Sequence, residues 1–567
     1  MSPSTLFRFL FFSLLFSCAA AVVPVLPVDS IKPGMKGTGY SVFSGTRPDP
    51  FQVEIIDVIH KTSPRRDLIV ARLSGAGLEQ TGVIAGMSGS PVYIDNRLVG
   101  AIAYAWPFAK EPIAGITPAA EMLKIWELPD SGSRGALRPV ETDERLALNP
   151  APVPIAISGL TSRLAEMIGP VLKRHGFIPV AGGMSRSEFD TADFVPGGAV
   201  GVALIDGDVR AAAVGTITCR EGNRILGFGH PMFLAGAVRL PMTGGKIHTV
   251  LPSLEMSAKL FSPSRPIGAI TQDRLTGISG VLGVEAPMIP VKVFLHSPTA
   301  ADTYHFRVVD HQQLIPDFLS IGLLTTVLQT EGTMEECALA TRVQLFFDRP
   351  GRNQVEIRHL FSGAEPLSEM MSKISAELYS LVENPVEAVK LRQVNVEMRF
   401  TTGRRVAQLI SARPELTRVK PGETLNIFLR LRDYRGQETE HRIPIAIPAA
   451  TPAGPLTINI TSRDEFLAPE LGSAEGGAQP KSLDRLLELL SESGREDELV
   501  IAGYVNKPGI KLDRAELFQP PPSIRMVLSA VRSVGEIQPI ETSRLFKVIY
   551  PTERLIIGSA TMEVEVK

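Results

Sequence analysis

One hexapeptide constrains this chain more than any other feature. Gly86-Met87-Ser88-Gly89-Ser90-Pro91 runs directly into Val92-Tyr93-Ile94, a two-residue turn at Asp95-Asn96, and the apolar run from Leu98 to Ala103. Gly86 and Gly89 give the backbone conformations closed to larger residues. The alternation that follows reads as a β-hairpin. A loop stiffened by a hairpin belongs to a β-domain, and the rest of the chain agrees. It holds 49 glycines and 45 prolines, with only 6% aromatic residues. That punctuation predicts many turns and short strands, hence a mainly β fold with no helical bundle.

At about 100–200 residues per domain, 567 residues predict several domains. Hydrophobic residues make up 44% and charged residues 21%, which is globular composition. The net charge of −2 gives no footprint for nucleic acid or for a strongly attracted membrane surface. Arg8 precedes the apolar run from Phe9 to Phe16, and Ala19-Ala20-Ala21 follows. This pattern predicts an export signal over residues 1–21, cut after about Ala21. An uncleaved anchor and lipidation at Cys18 are the alternatives. The run is short for a spanning helix, and no later segment is a continuous apolar span. The expected location is therefore the periplasm or the exterior, free or loosely held at the envelope. Losing Cys18 leaves Cys219 and Cys337, which an oxidising compartment permits to bridge.

The segment 29–130 carries the serine motif and reads as short strands. Strand-like runs are expected at Ile55–Ile59 and Leu68–Leu73. A short helix over 117–126 has Thr117 as its cap. A linker is expected at 131–152, and a second β-rich segment at 153–345 has helices near 161–176 and 313–328. A connector of helix and strand spans 346–400. The alternating Leu425, Ile427, Leu429 and Leu431 place an Ig-like β-sandwich at 401–460. A second linker at 461–481 leads to an α+β region over 482–567. There Ser482 caps a helix with an apolar face from Leu483 to Leu490.

Ser88 sits where a nucleophile needs to be, on a tight turn with backbone N–H groups beside it. The hexamer resembles the Gly-Asp-Ser-Gly-Gly-Pro loop of trypsin-like proteases, with Ser88 as nucleophile. On that pattern the N–H groups of Gly86 and Ser88 form the oxyanion hole. Such a serine needs a base. His230 stands out among nine histidines, in Gly227-Phe228-Gly229-His230-Pro231-Met232 after a strand at Gly215–Cys219. Its bland reading is a histidine in a glycine-rich turn, as the bland reading of the hexamer is a turn between two strands.

Together these segments resemble the SpoIVB-type serine peptidases, serine peptidase family 55. The hexamer with its hairpin, Gly229-His230, Ala199–Gly207, Val214–Thr218, and the stretch from Ile267 to Gly280 carry the resemblance. It implies a chymotrypsin-like double β-barrel, a serine nucleophile, a histidine base and no metal; no cofactor is expected. Three departures stand out. Ser88 precedes His230, so the halves are in circularly permuted order. The acidic position shortly before the serine falls near Ser74, which leaves Asp67 as the nearest orienting acid, with Asp273 and Asp310 as other carboxylates. No PDZ segment is evident.

The expected activity is an exported serine endopeptidase acting through an acyl-enzyme on a cell-envelope or extracytoplasmic protein. A catalytically weak or inactive envelope binding or scaffold protein is the alternative, with the sandwich as its partner-binding module; a protein that cleaves only itself is a third. Tyr104 and Trp106 either line a groove beside Ser88 or are packed. No phosphate-binding loop, His-Glu-x-x-His helix or dinucleotide fingerprint is present.

Overall fold

The computed structural model describes residues 24–567 apart from 64–65, 130–149, 184–193, 299, 331–335, 469–479, 481, 513–514, 519, 525 and 527–536. The expected signal at 1–21 and most of the two expected linkers lie outside the described residues. The chain divides into two units. The first comprises Met1–Ala156, Leu172–Ala203 and Ala212–Ala286; the second comprises Ile157–Val171, Leu204–Ala211 and Pro287–Lys567.

The first unit opens with strands β1 (Lys36–Ser41), β2 (Asp49–Ser63), β3 (Arg66–Ser74), β4 (Pro91–Ile94), β5 (Arg97–Ala105) and β6 (Ile113–Pro118). They close into a barrel in the order β1-β2-β3-β6-β5-β4. The β4–β5 turn is the expected Asp95-Asn96 pair, at φ 49° and 58°. Two successive positive φ values make the type I′ turn whose twist matches a hairpin. Inward residues such as Phe51, Val53, Ile55, Ile69, Leu73 and Ile102 fill the barrel. Each contributes roughly 1.5–3 kcal/mol by leaving water.

Strands β7 (Val153–Ser158) and β8 (Phe177–Gly182) come next, joined by helix α3 (Ser162–Arg174). Then come β9 (Ala199–Gly207), β10 (Ala211–Glu221), β11 (Arg224–Gly227), β12 (Gly236–Leu251), β13 (Ala258–Arg274) and β14 (Gly277–Leu282). They run β9-β12-β13-β14-β11-β10, and β9 also pairs with β10, so this ring closes too. Counted within each barrel, both rings run first, second, third, sixth, fifth, fourth, and back to the first. The two barrels therefore share one winding, and the mainly β double barrel is present. Closure leaves neither ring with an unpaired edge. The segments that carried the resemblance at 199–207, 214–218 and 267–280 are strands of the second barrel.

Helix α1 (Leu78–Thr81) precedes the serine loop, and α2 (Ala119–Leu123) follows β6. The expectation that Thr117 caps a helix over 117–126 is corrected. Strand β6 runs through Pro118, and the helical turns are α2 followed by a 3₁₀ turn at Lys124–Glu127. The Thr117 hydroxyl is committed elsewhere, to the carbonyl of Gly229 at 2.6 Å.

The second unit holds β15 (Met288–His296), β16 (Ala301–Val309), β17 (Cys337–Phe347), β18 (Gln354–Ser362) and β19 (Leu391–Thr402), in the order β18-β17-β19-β15-β16. Helices α4 (Ile315–Thr330) and α5 (Pro366–Val382) belong to this layer. Helix α4 is buried on nearly every side, which is why it is apolar all round instead of amphipathic.

The sandwich follows. One sheet joins β20 (Val406–Pro414), β22 (Thr424–Asp433), β23 (Glu438–Ala446) and β30 (Leu555–Ile557). The other joins β21 (Arg418–Val419), β24 (Gly454–Ser462), β25 (Glu498–Val505), β29 (Ser543–Pro551) and β31 (Ala560–Val566). The alternating leucines of β22 point into their shared core, beside Ile458, Ile501 and Val564. The sandwich is thus larger than 401–460 and takes most of its second sheet from the C-terminal region. A small sheet of β26 (Gly509–Leu512), β27 (Ala515–Phe518) and β28 (Ile537–Ile540), with helices α6 (Arg463–Leu467) and α7 (Leu483–Glu492), completes the unit. Ser482 caps α7, its hydroxyl accepting from the Arg485 N–H at 3.2 Å. Cys219 and Cys337 are not bridged to each other. Among the described residues no helix is long and apolar enough to cross a membrane.

Candidate active site

Ser88 and His230 both lie in the first unit, one on each barrel. Ser88 sits in the loop that enters β4, and His230 in the turn that leaves β11. The loop is fixed group by group. The carbonyl of Ala85 accepts from Lys259 N–H at 3.2 Å, and that of Met87 from Ser90 N–H at 2.9 Å. The carbonyl of Gly86 accepts from the Thr216 hydroxyl at 2.9 Å, that of Gly89 from the Thr218 hydroxyl at 2.8 Å, and that of Ser88 from Thr216 N–H at 2.8 Å. Among the loop N–H groups, Ala85 donates to Ser257, Met87 to Ile84, Gly89 to Ile102 and Ser90 to Met87. Those of Gly86 and Ser88 have no acceptor among the described residues.

These two free donors are aimed by their own peptide groups. In a trans peptide the C=O and N–H point in opposite directions. Lys259 holds the Ala85 carbonyl, which turns the Gly86 N–H away from β13. The Ser90 N–H holds the Met87 carbonyl, which turns the Ser88 N–H away from Ser90. Gly86 and Gly89 sit at φ 95° and 97°. A Cβ on Gly89 would lie 1.9 Å from the Thr216 carbonyl oxygen, so both conformation and space require glycine there.

The histidine turn and the serine loop share the Ile102 carbonyl. Ile102 accepts the Gly89 N–H at 2.7 Å, and a Cβ on Gly229 would stand 3.1 Å from that same oxygen. Phe228 and Gly229 both have positive φ, 67° and 70°. Positive φ strains a bulky side chain such as Phe228, and it marks a turn held by its surroundings. The Thr117 bond to the Gly229 carbonyl is one such hold.

His230 is 1% exposed, and its Nδ1 lies 2.7 Å from the Pro231 carbonyl. A carbonyl only accepts, so Nδ1 carries the proton and Nε2 presents a lone pair. Burial pushes the His230 pKa down to about 4, against the Pro231 bond that raises it, so the imidazole is neutral. Among the described residues Nε2 has no hydrogen-bond partner, and neither has the Ser88 Oγ, which is fully buried. The two are not hydrogen-bonded to each other.

Asp67, expected as the orienting acid, is not placed at His230. It accepts the Lys61 N–H at 2.9 Å and stands 3.4 Å from the ring of His60, at the β2–β3 hairpin. Local pairing across a tight hairpin claims it. Asp310 lies in the second unit. Asp273, at the end of β13, is the carboxylate beside the histidine turn. It accepts from Met232 N–H at 2.9 Å, Phe233 N–H at 2.7 Å and Ala235 N–H at 3.3 Å. Burial raises its pKa to about 6, and the surrounding N–H groups hold that rise in check. It fixes the loop after His230 without touching the ring. Asp273→Asn puts an NH₂ against these donors, and a misplacement near 1 Å costs about 10²-fold in rate. The expected result is a fall of that size in reactivity at Ser88, read by the rate of covalent labelling.

Cys219 offers no rival nucleophile. Burial pushes its thiol up to about 12, which keeps it protonated. Of the expected groove residues, Trp106 lines a cavity of about 140 Å³ together with Phe108 and the segments 79–83 and 253–256. The first of these segments continues into the serine loop. Tyr104 does not line it.

Residues 16–123 match the family model of the SpoIVB peptidase S55. The match covers the first barrel and its serine loop, and there the resemblance read from the sequence holds; it supports a SpoIVB-like serine peptidase acting on protein. The histidine barrel lies beyond the matched residues. No curated protein and no solved structure matches the chain.

Proposed function

We propose that the chain is an exported serine endopeptidase that cleaves a protein of the cell envelope through an acyl-enzyme. One observation carries this reading: in a loop whose carbonyls from Ala85 to Gly89 are all bonded, the N–H groups of Gly86 and Ser88 alone are unspent, beside an unpartnered serine hydroxyl. Backbone donors left free and aimed by a rigid loop are what a tetrahedral oxyanion requires. The Ser88 Oγ attacks the scissile carbonyl, and His230 Nε2 takes its proton. The Gly86 and Ser88 N–H groups hold the oxyanion. His230 returns the proton to the leaving amine, and water releases the acyl group by the reverse steps. The Pro231 carbonyl at Nδ1 holds the imidazole in the tautomer this sequence needs, a role that an acid has in other triads. Export is inferred from the leader alone.

A second reading, a peptidase-like binding or scaffold protein of the envelope, is favoured by one observation. Ser88 and His230 are both shielded from solvent and share no hydrogen bond. A fluorophosphonate probe separates the two. The wild type is expected to be labelled and Ser88→Ala not. An unlabelled wild type with an intact fold supports the binding protein.

A further inference from the structure

Lys259 is the one lysine that burial removes completely from water among the described residues, at 0% exposure. It lies near the start of β13, directly beneath the serine loop. Its methylene stem is 3.1 Å from where a Gly86 Cβ would be. Its Nζ donates to the Ser41 hydroxyl at 2.9 Å and to the Thr216 hydroxyl at 3.3 Å. Both hydroxyls continue into the loop. Ser90 Oγ donates to Ser41 Oγ at 3.0 Å, and Thr216 Oγ1 donates to the Gly86 carbonyl. Neither the chymotrypsin-like pattern nor the resemblance provides for an amine here.

We propose that Lys259 is a positioning residue for acylation: its amine ties β1, β10 and the Gly86–Ser90 loop together and so holds the two oxyanion N–H groups in place. The inference rests on the serine-peptidase reading. Its physical ground is the company the amine keeps. Ser41 from β1, Thr216 from β10, and Gly86 and Ser90 from the loop carry no charge, and Val250 stands opposite on β12. A buried ammonium needs a counter-charge. Burial alone acts on this amine and lowers its pKa to about 7. As the pH falls below that value, the amine gains a charge with only hydroxyls to meet it. The clamp must then open or admit water, and the loop loses its register. Burial lowers the His230 pKa to about 4 and raises that of Asp273 to about 6, so the Lys259 variant is what separates the amine from these two groups.

The test is the rate of fluorophosphonate labelling of the full chain from pH 5 to 9, for wild type, Lys259→Met and Thr216→Val, with folding checked by circular dichroism. Wild-type labelling is expected to fall as the pH drops through about 7. Lys259→Met should label about 10- to 100-fold more slowly at pH 8, and its acid midpoint should move down by about one unit. Thr216→Val removes the Gly86 bond as well as a partner of the amine, so it should be slowed similarly but keep the wild-type midpoint, because the amine remains; if Lys259→Met does not fold, the wild-type profile decides, and a labelling rate that does not fall as the pH drops through about 7 overturns the proposal. A folded Lys259→Met with the wild-type rate overturns the proposal, as does a slowed variant whose midpoint stays put, since the lysine would then be only structural. Either outcome leaves the peptidase reading standing. A wild type that is never labelled overturns both.

Discussion

His230→Ala is expected to slow acylation of Ser88 by about 10⁴-fold or more while leaving the protein folded. Removing the base of a serine triad costs up to about 10⁶-fold elsewhere. The size follows from the chemistry. A serine hydroxyl is a poor nucleophile until its proton has somewhere to go, and Nε2 of His230 is the unprotonated nitrogen on the facing turn. The fold should survive because the turn is held by groups other than the ring. Thr117 holds the Gly229 carbonyl, and Asp273 holds the N–H groups of Met232, Phe233 and Ala235. Labelling rates with a fluorophosphonate, with circular dichroism as control, measure this directly. A folded variant labelled at the wild-type rate would remove His230 from the mechanism.

The largest stability effect is expected far from that chemistry. His359 on β18 is clamped between two carboxylates, Nε2 at 2.9 Å from Glu377 on α5 and Nδ1 at 2.9 Å from Glu496 just before β25. Burial acts to lower the His359 pKa, but the two carboxylates outweigh it and raise it to about 10. The imidazolium is therefore charged in the folded state. Glu496 also accepts the Leu360 N–H at 2.8 Å, and its pKa is lowered, against the effect of burial, by His359. His359→Gln leaves two carboxylates facing each other with no cation between them. Breaking a buried pair in this way costs about 3–5 kcal/mol, and the second unit should melt roughly 10 °C lower.

The pH dependence has a definite sign. A raised histidine pKa contributes stability that is fully present below its unfolded value near 6.5 and is lost as pH rises through about 10. The lowered Glu496 contributes stability above its unfolded value that is lost as pH falls. Wild-type stability should thus decline toward pH 10, and His359→Gln should lose most of that decline. Equal melting of the two proteins at pH 6 would refute the clamp.

The sequence made the serine loop and its hairpin readable because glycine, proline and an Asp-Asn turn carry their conformations locally. Helix α7 was readable from its apolar face and the Ser482 cap, and the strand before His230 was readable as well. What stayed hidden depends on contacts distant in sequence. Asp67 is close to Ser88 along the chain, yet its hairpin claims it, whereas Asp273 reaches the histidine loop across a strand pair. Thr117 has the residue type of a helix cap, but its hydroxyl binds a carbonyl 112 residues away. Lys259 and His359 each sit in a strand where a charged residue ordinarily marks the solvent face, and no local pattern reveals that either is buried. The second sheet of the sandwich pairs β24 with β31, about a hundred residues later, which a reading by consecutive segments divides between two regions.

The central claim is that Ser88 is the nucleophile. Peptide mapping by mass spectrometry of the wild-type chain after fluorophosphonate treatment tests it most directly. The adduct is expected on Ser88 alone, in the peptide that holds Gly86 to Pro91. An adduct on another serine, or none on a folded protein, would contradict it.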